Sequence, residues 1–182
     1  QLMASTYLSK TFNSGNRKTF TWSGWLKVSN PDLPDTGIFS FYEDDNNFGK
    51  IGIQGDNNQF AMYSRTSGTF NVNIQSSAVA RDPNGWYHIV WSVDTTQATE
   101  SNRVKLYING TLQTSFVSSN YPSQNEDLEY NTTNPNYIGA WKTSGQFFDG
   151  SMAHVHFIDG TAYDASTFGE TDSTTGIWKP KT

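Results

Sequence analysis

The sequence predicts an all-β protein, built as an antiparallel sandwich or barrel. Its composition favours strands, because 12 Phe, 9 Tyr and 6 Trp accompany 15 Gly in a chain of 182 residues, while strong helix formers are scarce. Apolar and polar residues alternate in about ten short segments, and turn signals separate these segments. No segment has the length and period of a helix. This pattern is typical of sandwiches and barrels.

In the first half of the chain, the expected strands share this alternation, and they cover residues 6–12, 19–28, 37–42, 48–53, 59–63 and 70–74. The clearest is 19–28, whose residues of one parity are Phe20, Trp22, Gly24, Leu26 and Val28. Because strand side chains alternate between two faces, this parity is expected to face the core. The run Gly55-Asp56-Asn57-Asn58 lies between 48–53 and 59–63, so it predicts a hairpin.

In the second half, the expected strands cover residues 86–93, 104–108, 112–116, 137–140 and 152–158. Asn109-Gly110 predicts a tight hairpin turn, because both residue types tolerate positive φ. Residues 117–135 are rich in Ser, Asn, Glu and Tyr, which predicts a long polar loop. In 152–158 we expect Ala153, Val155 and Phe157 inward, with His154 and His156 on the outer polar face. A helical turn is expected at 164–168, and no linker divides the predicted single domain, 1–182.

Charge and composition exclude several classes of function. The formal net charge is −5, and no basic cluster is present, so nucleic-acid binding is not expected. No apolar run approaches the length of a membrane span, so no membrane partner is expected either. The chain has no cysteine, which excludes disulfides, thiolate zinc sites and cysteine nucleophiles.

Several strings resemble a known family. FTWSGWLKV at 20–28, GWYHIVWSVD at 85–94 and VKLYINGTL at 104–112 are similar to strands of laminin-G-like, concanavalin-type jelly rolls. YIGAW at 137–141 and FFDGSMAHVHFIDGT at 147–161 resemble the end of that domain. The strings stand in the family's order and span most of the chain. The resemblance implies an antiparallel two-sheet β-sandwich.

The C-terminal stretch 157–181, FIDGTAYDASTFGETDSTTGIWKPK, resembles a tail that recurs in structural proteins of marine phages, especially cyanophages. That likeness implies a place on the surface of a virion, on a tail, fibre or capsid. The expected partners are other virion proteins or further copies of this chain, together with host cell-surface polysaccharide. The alternative is a lectin-like adhesin domain of a bacterial surface protein.

Four aromatic residues outside the clear strands are candidates for ligand binding: Tyr121, Tyr130, Trp141 and Trp178. Aromatic rings cover the apolar face of a sugar, and neighbouring Asn, Asp and Gln side chains can address its hydroxyls. The same residue types are enriched in protein–protein contacts, so docking to another subunit remains open. Phe20, Trp22, Tyr87 and Trp91 are instead expected in the core.

Calcium is the only cofactor that the sequence suggests. Relatives of the fold often hold this ion at the rim of the sandwich, and Asp44, Asp45 and Asn47 supply hard oxygen donors just after a strand. Asp and Asn are also common in hairpin loops for turn reasons alone.

No catalytic residues are expected. The acidic run at 126–129 lacks the alternation by which two carboxylates would face one cleft, so it is interpreted as a solvated loop. The sequence has no G-x-S-x-G elbow and no Gly-rich phosphate loop. The prediction is therefore a binding or structural module and not an enzyme.

Overall fold

The structure, a computed structural model, describes residues 6–29 and 35–181. These residues form fourteen strands, three single 3-10 turns and no α-helix. The strands are β1 (Leu8–Thr11), β2 (Thr19–Val28), β3 (Thr36–Asp44), β4 (Asn47–Gln54), β5 (Gln59–Thr66), β6 (Thr69–Val79), β7 (Tyr87–Asp94), β8 (Val104–Ile108), β9 (Thr111–Leu112), β10 (Phe116–Asn120), β11 (Pro135–Ile138), β12 (Gly150–Asp159), β13 (Gly169–Thr171) and β14 (Trp178–Pro180). In the described part of the chain, no helix has the length and apolar character that crossing a bilayer requires.

Two antiparallel sheets make up the body of the fold. The seven-stranded sheet has the order β1-β11-β3-β4-β5-β6-β10, and the five-stranded sheet has the order β12-β2-β7-β8-β9. Strands β13 and β14 pair only with each other. The predicted antiparallel two-sheet jelly-roll sandwich is therefore confirmed.

The core lies between the two sheets and is rich in aromatic side chains. Its largest fully buried members are Trp22, Trp91, Tyr130, Phe20, Phe39, Phe41 and Phe60. The alternation predicted for β2 is confirmed, since Phe20, Trp22, Leu26 and Val28 all belong to this core. Tyr87 packs partly buried against the same cluster. Each buried aromatic ring removes a large apolar area from water, which stabilises a sandwich whose strands are individually short.

Two predicted turns are confirmed. Asn109 and Gly110 have φ values of 48° and 80° between β8 and β9, as a tight hairpin with the twist of its strands requires. The 3-10 turn Ala165–Thr167 begins at Asp164, whose carboxylate accepts a hydrogen bond from the Ser166 backbone N–H. This is the ordinary way in which Asp satisfies a free donor at a helical start.

The prediction for the middle of the chain was wrong in two respects. Only Thr111–Leu112 returns along β8, and Phe116–Asn120 then pairs with β6 in the other sheet. The segment 117–135 is also more than a polar loop, because Leu128 and Tyr130 are fully buried in the core. These two apolar side chains stand among many polar ones, so the composition of the segment concealed their role.

A bulge in β12 corrects a second prediction. The register shifts between Ala153 and His156, and His154 has a φ of 47°. An extra residue in one strand changes the parity beyond it. Val155 and Phe157 therefore pack against the core as predicted, whereas Ala153 lies on the outer face of the five-stranded sheet, beside Trp25.

Candidate functional site

The outer face of the seven-stranded sheet carries a cleft of about 440 Å³. We call it the aromatic cleft, and the residues that define it are Phe48, Lys50, Tyr63, Arg65, Trp141 and Gln146. Alternation along β4 and β5 places the first four of them there, because their strand neighbours of the other parity face the core. Ile51 and Phe60, for example, are almost fully buried on the inner side.

The connection from β11 to β12 brings Trp141 onto this face. The Ser40 hydroxyl donates to the carbonyl oxygens of Ala140 and Trp141, at 3.1 and 2.8 Å. The Gly37 backbone N–H donates to the Gln146 carbonyl at 2.7 Å. A Cβ at Gly37 would stand 2.1 Å from the Trp141 backbone nitrogen, so this close approach requires glycine.

Trp141 is half-buried at the wall of the cleft and contacts both aromatic and cationic groups. Its ring centroid lies 5.1 Å from that of Phe48, edge to face. The Lys142 ammonium lies 4.4 Å from the centre of the Trp141 ring, and the Lys50 ammonium lies 5.4 Å from it. Such contacts hold an indole in place while leaving part of it accessible.

Lys50 lies at the floor of the cleft, with its side chain only 5% exposed. Its ammonium donates to the Gln146 side-chain oxygen at 2.7 Å and lies 3.5 Å from Asp35 Oδ2. The Tyr63 ring stands on its other side, 5.7 Å away. Burial lowers the pKa of Lys50, and the charge of Asp35 opposes this shift.

The remaining polar groups extend the cleft outward. The Tyr63 hydroxyl donates to the Gln54 side-chain oxygen at 2.5 Å, and burial raises the pKa of Tyr63. Arg65 lies over the Phe70 ring, 5.1 Å from its centre. Aromatic walls beside amide, hydroxyl and cationic groups can bind the apolar face and the hydroxyls of a sugar together.

The four predicted ligand-binding aromatics are not brought together. Trp141 lies in the aromatic cleft, Tyr121 in a shallow depression beside β8 and β9, and Trp178 on the opposite sheet. Tyr130 was a wrong prediction, because it is fully buried and its hydroxyl donates to the Tyr63 carbonyl at 2.8 Å. Burial accordingly raises its pKa well above the usual value.

Trp178 belongs to a second concave surface of about 450 Å³, on the outer face of the five-stranded sheet. We call it the tryptophan groove, and Trp25, Trp86, Ile177 and Trp178 define it. Beneath it lies His88, which is fully buried. The Trp178 indole N–H donates to His88 Nδ1 at 2.9 Å.

His88 is held between two indoles and a hydroxyl. Its ring stacks on Trp25 with centroids 4.9 Å apart, and its Nε2 lies 2.9 Å from the Ser23 hydroxyl oxygen. Since Nδ1 accepts from Trp178, the proton of the neutral ring is on Nε2. Burial, together with the charges of the nearby His156 and His154, lowers the pKa of His88 to about 4.

The suggested calcium ligands form a capped turn. Asp44 Oδ1 accepts from the backbone N–H groups of Asn46 and Asn47, at 2.7 and 2.9 Å. Asp45 Oδ1 accepts from the Lys142 ammonium at 2.8 Å, and this hydrogen bond holds the pKa of Asp45 below its usual value. Within 6–29 and 35–181, no three His, Asp or Glu side chains converge as metal ligands. The Oδ1 atoms of Asp44 and Asp45 are thus already engaged by hydrogen-bond donors, which argues against calcium here, and the calcium site stays a prediction.

The acidic run at 126–129 is a solvated loop only in part, because Asp127 is exposed whereas the end of the run is buried. Leu128 is fully buried, and Glu129 is 8% exposed. The Glu129 carboxylate pairs with the Arg17 guanidinium at 2.9 Å. Glu126 accepts from the Ser123 backbone N–H at 2.6 Å. Both acids therefore have structural partners.

Of the residues that line the aromatic cleft, the sequence predicted Trp141 as a candidate but not Lys50, Tyr63 or Arg65. The alternation in 48–53 and 59–63 was visible, and so was the fact that Lys50 and Tyr63 stand on the non-core parity. The alternation gave no indication that the 139–149 segment would fold over that face. Only the long-range contacts of Ser40 and Gly37 reveal it.

Comparison with known proteins gives a family match and several structural neighbours. The model of the Concanavalin A-like lectin/glucanases superfamily (Laminin_G_3) matches residues 3–166. No curated protein sequence matches the chain. Domain 4 of AbnA, an extracellular arabinanase of Geobacillus stearothermophilus solved with arabinotriose, is similar at TM-score 0.60 and 18% identity, over 84% of this chain and 67% of that chain.

Two animal proteins have the same fold. The SAP-like pentraxin of Limulus polyphemus is similar at TM-score 0.54 and 14% identity, over 83% of this chain and 68% of that one. The mouse laminin α1 chain, domains LG4-5, is similar at TM-score 0.54 and 9% identity, over 83% of this chain and 38% of the other. At these identities the neighbours establish a shared fold.

Proposed function

The chain belongs to the Concanavalin A-like lectin/glucanases superfamily, and we propose that it is a non-enzymatic module that binds carbohydrate through the aromatic cleft. Domains of this superfamily include both lectins and glucanases by its description, so the site itself must distinguish binding from hydrolysis. The observation that carries the proposal is Trp141, held over a floor of Lys50 and Tyr63. This combination offers one stacking face and several hydrogen-bonding groups to a single ligand.

The carboxylates of the cleft favour binding over hydrolysis. A retaining or inverting glycosidase needs one carboxylic acid whose pKa is raised, so that it can protonate the leaving oxygen. Asp45 is the opposite case, because its hydrogen bond to Lys142 lowers its pKa. Asp35 lies 3.5 Å from the Lys50 ammonium. Each acid of the cleft is thus paired with a lysine.

The biological setting that we propose is the surface of a bacteriophage particle, on a tail, fibre or capsid. The likeness of 157–181 to a tail of marine phage proteins supports this setting. The module would attach to other virion proteins or to its own copies and present the aromatic cleft to host polysaccharide. A bacterial surface adhesin is the alternative. An antibody against the chain separates the two settings, because it should label purified phage particles in the first case and bacterial cells in the second.

The test of carbohydrate binding is a glycan array probed with the wild-type chain, Trp141→Ala and Trp86→Ala. Trp86 is the matched control, because it is an exposed tryptophan in the tryptophan groove, on the other sheet. We expect Trp141→Ala to lose at least tenfold in affinity, since burying a large apolar side chain contributes about 1.5–3 kcal/mol and each ~1.4 kcal/mol is tenfold. Trp86→Ala should bind as the wild type does.

Because a single site of this kind binds weakly, the chain is displayed in several copies, and multivalency then raises the apparent affinity. Equal binding by Trp141→Ala and wild type would rule out the cleft as the site. Release of reducing ends from any bound polysaccharide would rule out the non-enzymatic assignment. Arabinose oligomers belong on the array, since the AbnA domain was solved with arabinotriose.

A further inference from the structure

The charges around the aromatic cleft do not cancel. Three cations stand on or beside it, Lys50, Arg65 and Lys142, against two carboxylates, Asp35 and Asp45. Lys142 and Asp45 form a pair at 2.8 Å, and Lys50 and Asp35 form a longer pair at 3.5 Å. Arg65 makes no salt bridge with either carboxylate, and the charge of Asp45 acts on it only at longer range, in a chain whose net charge is −5.

Arg65 is fixed in position without a carboxylate. Its Nε–H donates to the Gly68 carbonyl at 3.0 Å, and one Nη–H donates to the Asp45 carbonyl at 2.8 Å. Within the described part of the chain, its hydrogen bonds go to these two neutral oxygens, and its guanidinium lies 5.1 Å from the centre of the Phe70 ring. A guanidinium has five N–H donors in a rigid fork. The remaining donors are therefore available to an anion at the mouth of the cleft.

Lys50 is a second cation that favours a negatively charged ligand in the cleft. Its side chain is almost fully buried, and its best hydrogen bond goes to a neutral amide, that of Gln146. Register places Phe48 opposite Arg65 and Lys50 opposite Tyr63 on the outer face, so the two cations lie diagonally across β4 and β5. Residues in this relation lie within reach of one small ligand. A dehydrated ammonium gains more from a negative group than a solvated one does.

We infer that the ligand of the aromatic cleft is an acidic saccharide, a sugar chain whose negatively charged group meets Arg65 and Lys50 while a sugar ring packs on Trp141. The inference rests on the proposed carbohydrate binding and makes it more specific. The negative group is a carboxylate or a sulfate, since both accept two parallel hydrogen bonds from a guanidinium.

The experiment uses matched pairs of immobilised oligosaccharides. One arm contains oligomers of galacturonic and glucuronic acid together with their methyl esters, which keep the shape and remove the charge. The other arm contains sulfated oligosaccharides with their desulfated counterparts. We expect at least tenfold tighter binding of the charged member of one arm, and that arm identifies the group. Higher salt should weaken this preference.

Three variants locate the effect. Arg65→Gln should lose the preference for the charged member, and Lys105→Gln should behave as the wild type. Arg65→Lys should keep only part of the preference, because the charge remains and the two parallel hydrogen bonds are lost. Lys105 is the control because it is on β8, in the five-stranded sheet. Thermal unfolding of each variant establishes that it is folded.

The outcomes distinguish the two proposals. Binding of charged and uncharged members with equal affinity, abolished by Trp141→Ala, overturns the acidic saccharide and leaves carbohydrate binding intact. A preference for charge that Arg65→Gln retains also overturns the inference. Absence of binding to every member of the panel overturns the acidic saccharide, and carbohydrate binding is overturned as well only when the wider glycan array is also negative.

Discussion

Protonation of His88 should release the C-terminal hairpin of β13 and β14 from the sandwich. The hairpin is held by the hydrogen bond from Trp178 to His88 Nδ1, at 2.9 Å. A protonated imidazole carries a hydrogen on both nitrogens and cannot accept this bond. Acid should therefore disrupt the contact and place a charge between the rings of Trp25 and Trp178.

The stability lost on acidification can be calculated from the pKa of His88. Burial lowers the pKa of His88 from 6.5 to about 4, so between these values the unfolded chain binds a proton that the folded chain does not. Stability is then fully present above pH 6.5 and falls as the pH falls towards 4. Each pH unit is worth 1.36 kcal/mol, which gives about 3 kcal/mol at most.

The assay is urea unfolding followed by tryptophan fluorescence, at several pH values from 7 to 4. His88→Gln is the informative variant, because its amide can accept from Trp178 and donate to Ser23 without titrating. Its free energy of unfolding should change less with pH than that of the wild type, by about 2–3 kcal/mol over the range. Lys105→Gln is the control, since Lys105 on β8 is not among the groups that shift the pKa of His88. If His88→Gln and wild type lost equal stability on acidification, the account of His88 would be refuted.

Two further predictions concern turns. Calcium should leave the unfolding temperature unchanged, because Asp44 caps its own turn and Asp45 pairs with a lysine. A rise in the unfolding temperature that a chelator reverses would contradict this. Gly110→Ala should destabilise the chain by about 1–2 kcal/mol, since Gly110 has a φ of 80° and an added Cβ would stand 2.7 Å from the Trp178 ring. Gly145→Ala, with nothing within 4 Å of its Cβ, should unfold like the wild type in the same urea titration.

The strands could be predicted from the sequence because they depend on local alternation. In β2, the parity of Phe20, Trp22, Leu26 and Val28 was sufficient to assign the core face. The turn at Asn109 was equally local, since two residues with positive φ determine it. Such features need no knowledge of distant parts of the chain.

Tyr130 shows why the site was harder to predict. It stands among polar residues in sequence, yet it packs against the inner face of β4, where a Cβ at Gly49 would stand 2.8 Å from its ring. The space for Tyr130 is thus created by a glycine far away along the chain. Trp141 has a similar sequence setting but meets the opposite face of the same strand. Composition around an aromatic residue cannot distinguish these two outcomes, because both depend on contacts between distant segments.

The position of the C-terminal hairpin bears on which outer face of the sandwich is accessible to a ligand. The family match ends at residue 166, and β13 and β14 follow it at 169–171 and 178–180. This addition lies on the outer face of the five-stranded sheet and covers His88 there. Among residues 6–29 and 35–181, no comparable hairpin covers the outer face of the seven-stranded sheet, and the 139–149 segment borders the aromatic cleft without closing it. The extension covers one face and leaves the other exposed, as the proposed binding at the aromatic cleft requires. Deleting 169–181 should therefore expose Trp25 and His88 while leaving the proposed glycan binding at Trp141 unchanged.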